Sequence, residues 1–388
     1  MAERILVIGG GQLGWMLALE AQTCGLEVDR FDFASSELIL SDSIGPDAQR
    51  QKIKDSRELL DRYPLITAEL EHLPLTPIVA ELVNSQQWLN RAAFDVLPDR
   101  YTQKKLLDQL GVATAPWRLI ENAEQLVSCQ AALGDLVVKT TRGGYDGRGQ
   151  WRCYAPASGA ESDTIPTEVF GQIIAEARIP FQSEVSLIGA RQANGECFFY
   201  PLTTNVHEQG ILRYSLFMTE NRTLKLLQRD AESALTKVMN HLKYVGVMAM
   251  ECFLINGVLM VNELAPRVHN SGHWTQLGAR QSQFAAHLRA IAGLPFNNHG
   301  HYQSSVMLNL IGCEYNPHWA ELEHVQCYWY QKEVRPVRKL GHLNIALISP
   351  QQFSVTVDAL LPTLDKDHCV ALLRAQSDYG KTLQLSKV

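Results

Sequence analysis

The sequence predicts a mixed α/β and α+β chain, in which a small doubly wound α/β domain precedes a larger region of short strands. Two patterns carry this reading. The stretch "RILVIGGGQLGWMLALEAQTCGLEVDRFD" opens the chain with strand, glycine turn, helix and strand, a single βαβ unit. Beyond about residue 135 the apolar runs shorten and are punctuated by glycine and Asn-Gly turns, as in "LGDLVVKTTRGGYDGRGQWRCY" and "VGVMAMECFLINGVLMVNELA". A length of 388 residues is also long for one core and suits two or three domains.

Taken in order, Ile5 to Ile8 read as a buried strand, and Leu13, Leu17, Ala21 and Cys24 recur at helical spacing. Gly25 stops that helix, and Leu26 to Phe31 form the next strand. "DRYTQKKLLDQLGVATAPW" reads as a helix ended by glycine and proline. Hairpins follow, with Asn194-Gly195 and Asn256-Gly257 expected as two-residue turns. "APASGAESD" at 155–163 has the composition of a surface loop, and strands and helices mix after about residue 300.

Composition narrows the function classes. With 46% apolar and 20% charged residues the chain is an ordinary globular protein. A net charge of −6 and a pI near 6.1 argue against general nucleic-acid binding, which needs many basic side chains to neutralise phosphates. The eight cysteines are scattered and form no C-x-x-C pair, which fits a reducing compartment and no structural zinc site. No apolar run approaches the roughly eighteen residues of a membrane helix. Glu3 precedes the first apolar run and Glu20 falls where a leader's cleavage site would lie, so a soluble cytoplasmic protein without membrane contact is expected.

Four stretches carry candidate chemistry. Gly9-Gly10-Gly11-Gln12-Leu13-Gly14 lies between strand and helix, with Asp32 ending the next strand; this is the outline of a dinucleotide site, but equally of another anion site or a structural turn. "VVKTTRGGYDGRGQW" (137–151) crowds glycines and charges behind an apolar strand, so its loop can lie over phosphates as a lid while Lys139 supplies a point charge; a solvated hairpin tip is the bland alternative. In "MECFLINGVLMVNELAPRVHNSG" (250–272), a hairpin at Asn256-Gly257 brings Glu251 opposite Asn262, one step from Glu263. Regular alternation would put the two carboxylates on opposite faces, so a bulge or the strand's end must unite them; together they are hard ligands suited to Mg²⁺. "KEVRPVRK" gathers Lys332, Arg335, Arg338 and Lys339, a cluster that can hold a phosphate or simply form a basic turn.

Other signals fall away. "GKT" at 380–382 lacks the earlier glycine of a phosphate loop, Ala375 standing in its place. His269 and His273 have helical metal-ligand spacing, but Asn270, Ser271 and Gly272 between them are poor helix formers and no third ligand is evident. His207 in "TTNVHEQG" either contacts a nucleotide or caps a turn.

The ordered series "GGGQLG", "RYTQKKLL", "VVKTTRGGYDGRGQW", "EVSLIGAR", "YPLTTNVHEQGILR", "VGVMAMECF", "NELAPRVHNSGHWT" and "KEVRPVRKLGHLN" resembles the N5-carboxyaminoimidazole ribonucleotide synthetases, ATP-grasp enzymes of purine biosynthesis, from about residue 4 to residue 345. The resemblance implies an ATP-grasp fold with an N-terminal doubly wound α/β domain (1–100), an ATP-grasp domain (101–295, lid about 115–178) and a C-terminal sheet domain (296–388). It implies ATP and Mg²⁺ as cofactors, 5-aminoimidazole ribonucleotide and bicarbonate as substrates, and a homodimer.

Carried over position by position, Arg100 and Lys139 are expected at the phosphates, and Gly144, Tyr145, Asp146, Gly147, Arg148, Gly149 and Gln150 form the lid. Glu176, Ala177, Arg178 and Ile179 make the adenine hinge, Glu184 is the ribose acid, and His207 and Asn262 are further nucleotide contacts. Glu251 and Glu263 hold Mg²⁺, while Tyr145, Asp146, Arg148, Arg267, Lys332 and Arg338 face the substrate. Arg267, Asp146 and Tyr145 are the expected catalytic residues.

Three positions depart from the family pattern: Trp15 replaces the usual arginine after "GQLG", Val337 the usual glycine of "RPGRK", and the hinge "EARI" is atypical at Ala177 and Arg178. Rival readings are a dinucleotide-dependent oxidoreductase, a catalytically inactive nucleotide-binding subunit of the same fold, and a biotin-dependent carboxylase, for which the chain shows no biotinyl domain.

Overall fold

The computed structural model describes residues 4–41, 48–144, 149–156, 159–297 and 300–386. Three sheets organise it. The first contains β1 (Arg4–Ile8), β2 (Glu27–Asp32), β3 (Glu37–Ile39), β4 (Arg50–Lys52) and β5 (Leu65–Ala68), in the order β4-β3-β2-β1-β5. β1 is parallel to both β2 and β5, while β3 and β4 are antiparallel additions. Both faces are covered: Ile5 and Val7 meet Leu13 and Leu17 of the helix Gln12–Ala21, while Leu6 and Ile8 meet Val79 and Leu82 of the helix Pro77–Asn84. A parallel sheet needs such cover, which is why its strands read as continuous apolar runs. Gly25 follows the first helix with φ 69°, the left-handed stop expected there.

The second sheet spans the segment expected to be the lid and takes that name: β6 (Trp117–Ile120), β7 (Leu136–Thr140), β8 (Gln150–Cys153) and β9 (Ile173–Ala177), antiparallel in the order β6-β9-β7-β8. The helix Ala123–Leu133 lies on it, started by the Asn122 side chain, which accepts the Gln125 N–H.

The third sheet holds β10 (Ser183–Arg191), β11 (Cys197–Phe199), β12 (Thr203–Glu208), β13 (Ile211–Phe217), β14 (Gly246–Ile255), β15 (Val258–Ala265), β16 (Ser305–Ile311), β17 (Val325–Trp329) and β18 (Lys339–Ala346). Its path is β15-β14-β10-β12-β13-β16-β18-β17, with β11 paired to β10. Because β13 pairs with β16, the sheet runs without a break across residue 295. The helix Arg222–His241 covers β10 and β15 with Leu224, Leu227, Ala231, Leu235 and Val238. Those residues sit on one stripe of the helix. Phe353, Val357, Leu372 and Ala375 of the two C-terminal helices close a further core over Leu308, Leu343 and Ile345, so these helices serve packing.

The two Asn-Gly turns behave differently. Asn256 (φ 49°) and Gly257 (φ 78°) form the expected two-residue turn between β14 and β15. Asn194-Gly195 does not: Gln192 N–H donates to Glu196 O at 2.9 Å, closing a three-residue loop. The Asn194 side chain accepts the Glu196 N–H, and of the two only Gly195 (φ 94°) takes a positive φ.

Candidate functional site

Between the lid and the third sheet, and reaching the first glycine turn, lies a cavity of about 990 Å³ lined by residues of the second and third sheets, of the start of the first helix and of the segment after β5. Its acidic wall comes from β14 and β15. Glu251 pairs directly with Glu263, and Cys252 with Val261, leaving Asn262 as the extra residue of a bulge. One inserted residue shifts the side-chain phase, so both carboxylates lie on the cavity side. Burial raises the pKa of Glu251, and Glu263 and Glu184 add to the rise against the opposing pull of His207. Carboxylates crowded until one resists ionisation form a donor set that a divalent cation would relieve, and these residues therefore fit Mg²⁺. Glu184 and His207 do not stand apart as separate contacts; His207 Nδ1 is 2.6 Å from Glu184 Oε2. Burial alone would lower His207, but Glu184 and then Glu251 hold it above its ordinary value.

The lid supplies the basic wall. Lys139 on β7 donates to Glu176 Oε2 at 2.8 Å and to Asn262 Oδ1 at 3.0 Å, joining lid to acidic wall. Lys104, almost wholly buried on the helix Arg100–Gln109, approaches Glu176 Oε1 at 3.0 Å. Burial would raise Glu176, but Lys139 and Lys104 together bring its pKa down to about 2. Glu176 is thus the counter-ion of two lysines, and it lines the cavity with the residues that follow it. Ala177 N–H donates to Pro116 O and Arg178 N–H to Asp135 O, within the lid; both residues and Ile179 line the cavity. Arg100 lines it too, yet its guanidinium donates to the carbonyls of Thr140, Gly143 and Gly144 and lies 3.5 Å from Glu263. It holds the lid loop's entry against the acidic wall. Gly144 (φ 73°), Gly149 (φ 64°) and Gln150 border the cavity; Tyr145, Asp146, Gly147 and Arg148 lie outside the described residues.

Arg267 enters from behind β15, donating to Glu71 Oε1 at 3.2 Å and to Val268 O at 3.1 Å. His269 is beside it, 3.9 Å from Glu251 through Nδ1, and burial followed by Arg267 keeps it neutral. His269 and His273 make no metal pair: His269 caps a short turn, His273 Nδ1 accepts from Gln283, and the described residues hold no three-ligand metal group.

The far end belongs to the first domain and the basic loop. Glu69, just after β5, accepts the N–H groups of Gly11 and, at 2.7 Å, Gly14. A Cβ on Gly11 would lie 2.8 Å from the Glu69 carboxylate. The glycines therefore admit the chain's own acid to the helix N-terminus, where a pyrophosphate would have to sit, and the dinucleotide reading of this turn is corrected accordingly. Asp32, its supposed ribose acid, accepts from Ala34 N–H instead. Lys332 donates to Gln12 Oε1, and burial, then Arg338, pull its pKa down to about 8. Neither Lys332 nor Arg338 lines the cavity: Lys332 is held by Gln12, which does, and Arg338 is turned to Glu333 O at 3.0 Å, while its neighbour Lys339 lines the cavity itself. Trp15 packs edge-on against Tyr330, an apolar contact where an arginine was usual.

Glu69 and Glu71, which line the cavity, and Lys104, which supports its wall, were not singled out from sequence; Gln12 and Lys339 were named there only as members of their stretches, and His269 only as a rejected metal ligand. Only Glu69 had a usable sign, an acid at the C-terminal end of a parallel strand, where ligands gather.

The comparisons agree with this geometry. An ATP-grasp domain model matches residues 105–284, and a phosphoribosylaminoimidazole carboxylase C-terminal domain model matches residues 305–353. The chain is 42% identical to the N5-carboxyaminoimidazole ribonucleotide synthase of Escherichia coli K12, over 97% of this chain and 100% of that one. It is 41% identical to the enzyme of the same name from Haemophilus influenzae, over 94% of each. Among solved structures, the N5-carboxyaminoimidazole ribonucleotide synthetase of Thermus thermophilus matches with TM-score 0.78 and 32% identity, over 93% of this chain and 99% of that one. The carboxyaminoimidazole ribonucleotide synthase of Aspergillus clavatus, complexed with ATP, matches with TM-score 0.72 and 26% identity, over 96% and 99%. Near-complete coverage on both sides leaves no part of the fold to another lineage, and the chain belongs to the N5-carboxyaminoimidazole ribonucleotide synthase family of ATP-grasp ligases.

Proposed function

We propose that the chain carboxylates 5-aminoimidazole ribonucleotide with bicarbonate at the expense of ATP, giving N5-carboxyaminoimidazole ribonucleotide, ADP and phosphate in purine biosynthesis. The observation that carries this is the cavity in which Glu251 and Glu263 share a face beside Lys139, with Arg267 behind them and Glu69 at the far end. Work divides as the resemblance implies among residues 1–100, 101–295 and 296–388, the lid spanning about 115–178.

Bicarbonate is a poor electrophile, and transfer of a phosphoryl group to its oxygen creates a leaving group on the carbon. Glu251 and Glu263 would hold Mg²⁺ with Asn262 beside them, and the bound ion would neutralise phosphate charge in that transfer. Lys139 offers its charge to the phosphates while Lys104 continues to balance Glu176, and Arg100 keeps the lid's entry in place. Ala177, Arg178 and Ile179 border adenine, and Glu184 and His207 the ribose. Arg267 positions bicarbonate and stabilises the charge that develops on it. Carboxyphosphate hydrolyses readily, so Gly144 to Gln150 close over it and exclude water. The substrate's exocyclic amine then attacks the activated carbon; the N–C bond forms, phosphate departs, and we assign the amine proton to Asp146, with Tyr145 and Arg148 beside it. Lys332 and Arg338 take the ribonucleotide's phosphate.

The test is ADP release from ATP, Mg²⁺ and bicarbonate, with and without the ribonucleotide. Release that requires the ribonucleotide supports the reading; none in either mixture, with ATP still bound, would make the chain a nucleotide-binding subunit. The reading also carries a homodimer, checked by the mass in solution, and a cytoplasmic setting. Among the described residues no helix is long and apolar enough to cross a membrane.

A further inference from the structure

Tyr330 follows β17 and forms part of the cavity wall, between Trp15, whose ring meets it edge-on at 6.5 Å, and Lys332, whose Nζ lies 5.7 Å from its ring centre. Its hydroxyl is 2.7 Å from Nδ1 of His342 on β18. His342 is wholly buried, stacked on Tyr328 at 4.7 Å, and its other nitrogen, Nε2, is 2.9 Å from Gln276 Oε1. Burial holds the His342 ring neutral, with a pKa pushed down to about 3. A neutral imidazole carries one N–H. Because Gln276 offers an acceptor, that proton sits on Nε2, Nδ1 is left as an acceptor, and the Tyr330 O–H must donate to it. The hydroxyl's proton is therefore committed inward, and what remains for the cavity is its lone pairs. A tyrosine fixed in this way accepts a hydrogen bond and cannot offer one. Lys332, beside the ring, is bound to Gln12 of the same cavity lining.

We infer that Tyr330 is a substrate-binding residue that accepts a hydrogen bond from a sugar hydroxyl of the ribonucleotide, with His342 and Gln276 as positioning residues that set its direction. The choice of the sugar follows from Lys332: next to the phosphate anchor the nearest donors of a ribonucleotide are its ribose hydroxyls. This rests on the reading of the Lys332 end as the ribonucleotide site.

The experiment is steady-state kinetics of the full chain. Ribonucleotide-dependent ADP release by the unsubstituted protein is measured first; its absence would retire the functional reading itself. Given that activity, Tyr330→Phe should raise the KM for the ribonucleotide roughly five- to ten-fold, the worth of one neutral hydrogen bond. The KM for ATP and kcat should stay within about two-fold. His342→Leu should reproduce that KM and add nothing in the double variant, whereas His342→Asn, with an amide oxygen in place of Nδ1, should restore most of it. An unchanged ribonucleotide KM in Tyr330→Phe, or an equal rise for ATP, overturns the assignment, and Tyr330→Phe decides the matter even if the His342 variants do not fold.

Discussion

At one end of the cavity Glu251 and Glu263 owe their shared face to a single extra residue, Asn262, in one hairpin; at the other, Lys332 is placed by a bond to Gln12 that joins the third-sheet region to the first, where Glu69 holds the glycine turn. The first arrangement is local. A strand's period of two and a two-residue turn fix it within a dozen residues, and a bulge is the one departure that can bring the carboxylates together. The second depends on how the first domain docks against the third sheet, through the helix Gln12–Ala21 and the helix Gln283–Ile291. The contrast teaches that the acidic wall should tolerate no change of charge while remaining folded, and that the far end should respond in degrees.

The sharpest break is Glu263→Gln. It keeps the bulge and the volume but removes one charge of the cation's donor set, so ATP cleavage should fall about a hundred-fold or more with little change in melting temperature. Near-normal hydrolysis would remove Glu263 from the metal role.

A second test addresses the basic wall. The Glu176 carboxylate, lowered from its ordinary 4.5 to about 2, contributes stability that is complete above pH 4.5 and is lost as the pH falls toward 2. The drop corresponds to at most about 3 kcal/mol. The net effect is smaller, because burial lowers the pKa of Lys104 even beside its partner. The stability gap between the unsubstituted chain and Glu176→Gln, measured by denaturant, should therefore narrow between pH 4.5 and pH 2. A constant gap would show that the triad is held by packing alone.

At the far end, Lys332→Ala should raise the ribonucleotide KM about ten-fold, and Arg338→Ala less, since Lys332 is bound to Gln12 of the cavity lining whereas the Arg338 guanidinium is turned to Glu333 O. The Lys332 pKa of about 8 gives the sign of the pH effect. Below pH 8 the amine is charged and attracts phosphate; above it the charge is lost, so the KM should climb through pH 8 in the unsubstituted chain and stay flat in Lys332→Arg. A flat profile in both would detach Lys332 from the phosphate.

The strands of the first sheet and the acidic hairpin were legible in sequence because each rests on near neighbours: Ile5 to Ile8 through their unbroken apolar run, Gly25 through its stop, Glu251 and Glu263 through the turn at Asn256-Gly257. Glu69 was not. Its partners, the Gly11 and Gly14 N–H groups, are more than fifty residues away, and their glycines carry the same outline as a dinucleotide turn. A glycine says that something comes close to the backbone, not what comes. The ion pairs of Glu176 were hidden for the same reason: its two lysines come from a helix before the lid and a strand within it. The Asn194-Gly195 turn differs from its twin because the Asn194 side chain finds the Glu196 N–H, an option that a dipeptide alone does not reveal.

The smallest effect tests the loop that carries Lys332 and Arg338. Arg338 N–H donates to Arg335 O at 3.2 Å, closing a four-residue turn with Pro336 second and Val337 third. Val337 has φ 57°, a left-handed conformation that a β-branched residue adopts only under strain, and its side chain is 61% exposed, so little packing compensates. Turns with proline second and a positive φ third favour glycine at that third place. The left-handed penalty is roughly 1–2 kcal/mol, and glycine's greater freedom in the unfolded chain returns about 0.5–1 of it. Val337→Gly should thus stabilise the protein by about 0.5–1 kcal/mol in urea denaturation and leave the KM for ATP unchanged. A loss of stability would mean that the valine side chain holds this loop in a way its exposure does not suggest, and the far end of the cavity would then depend on it as the acidic wall depends on Asn262.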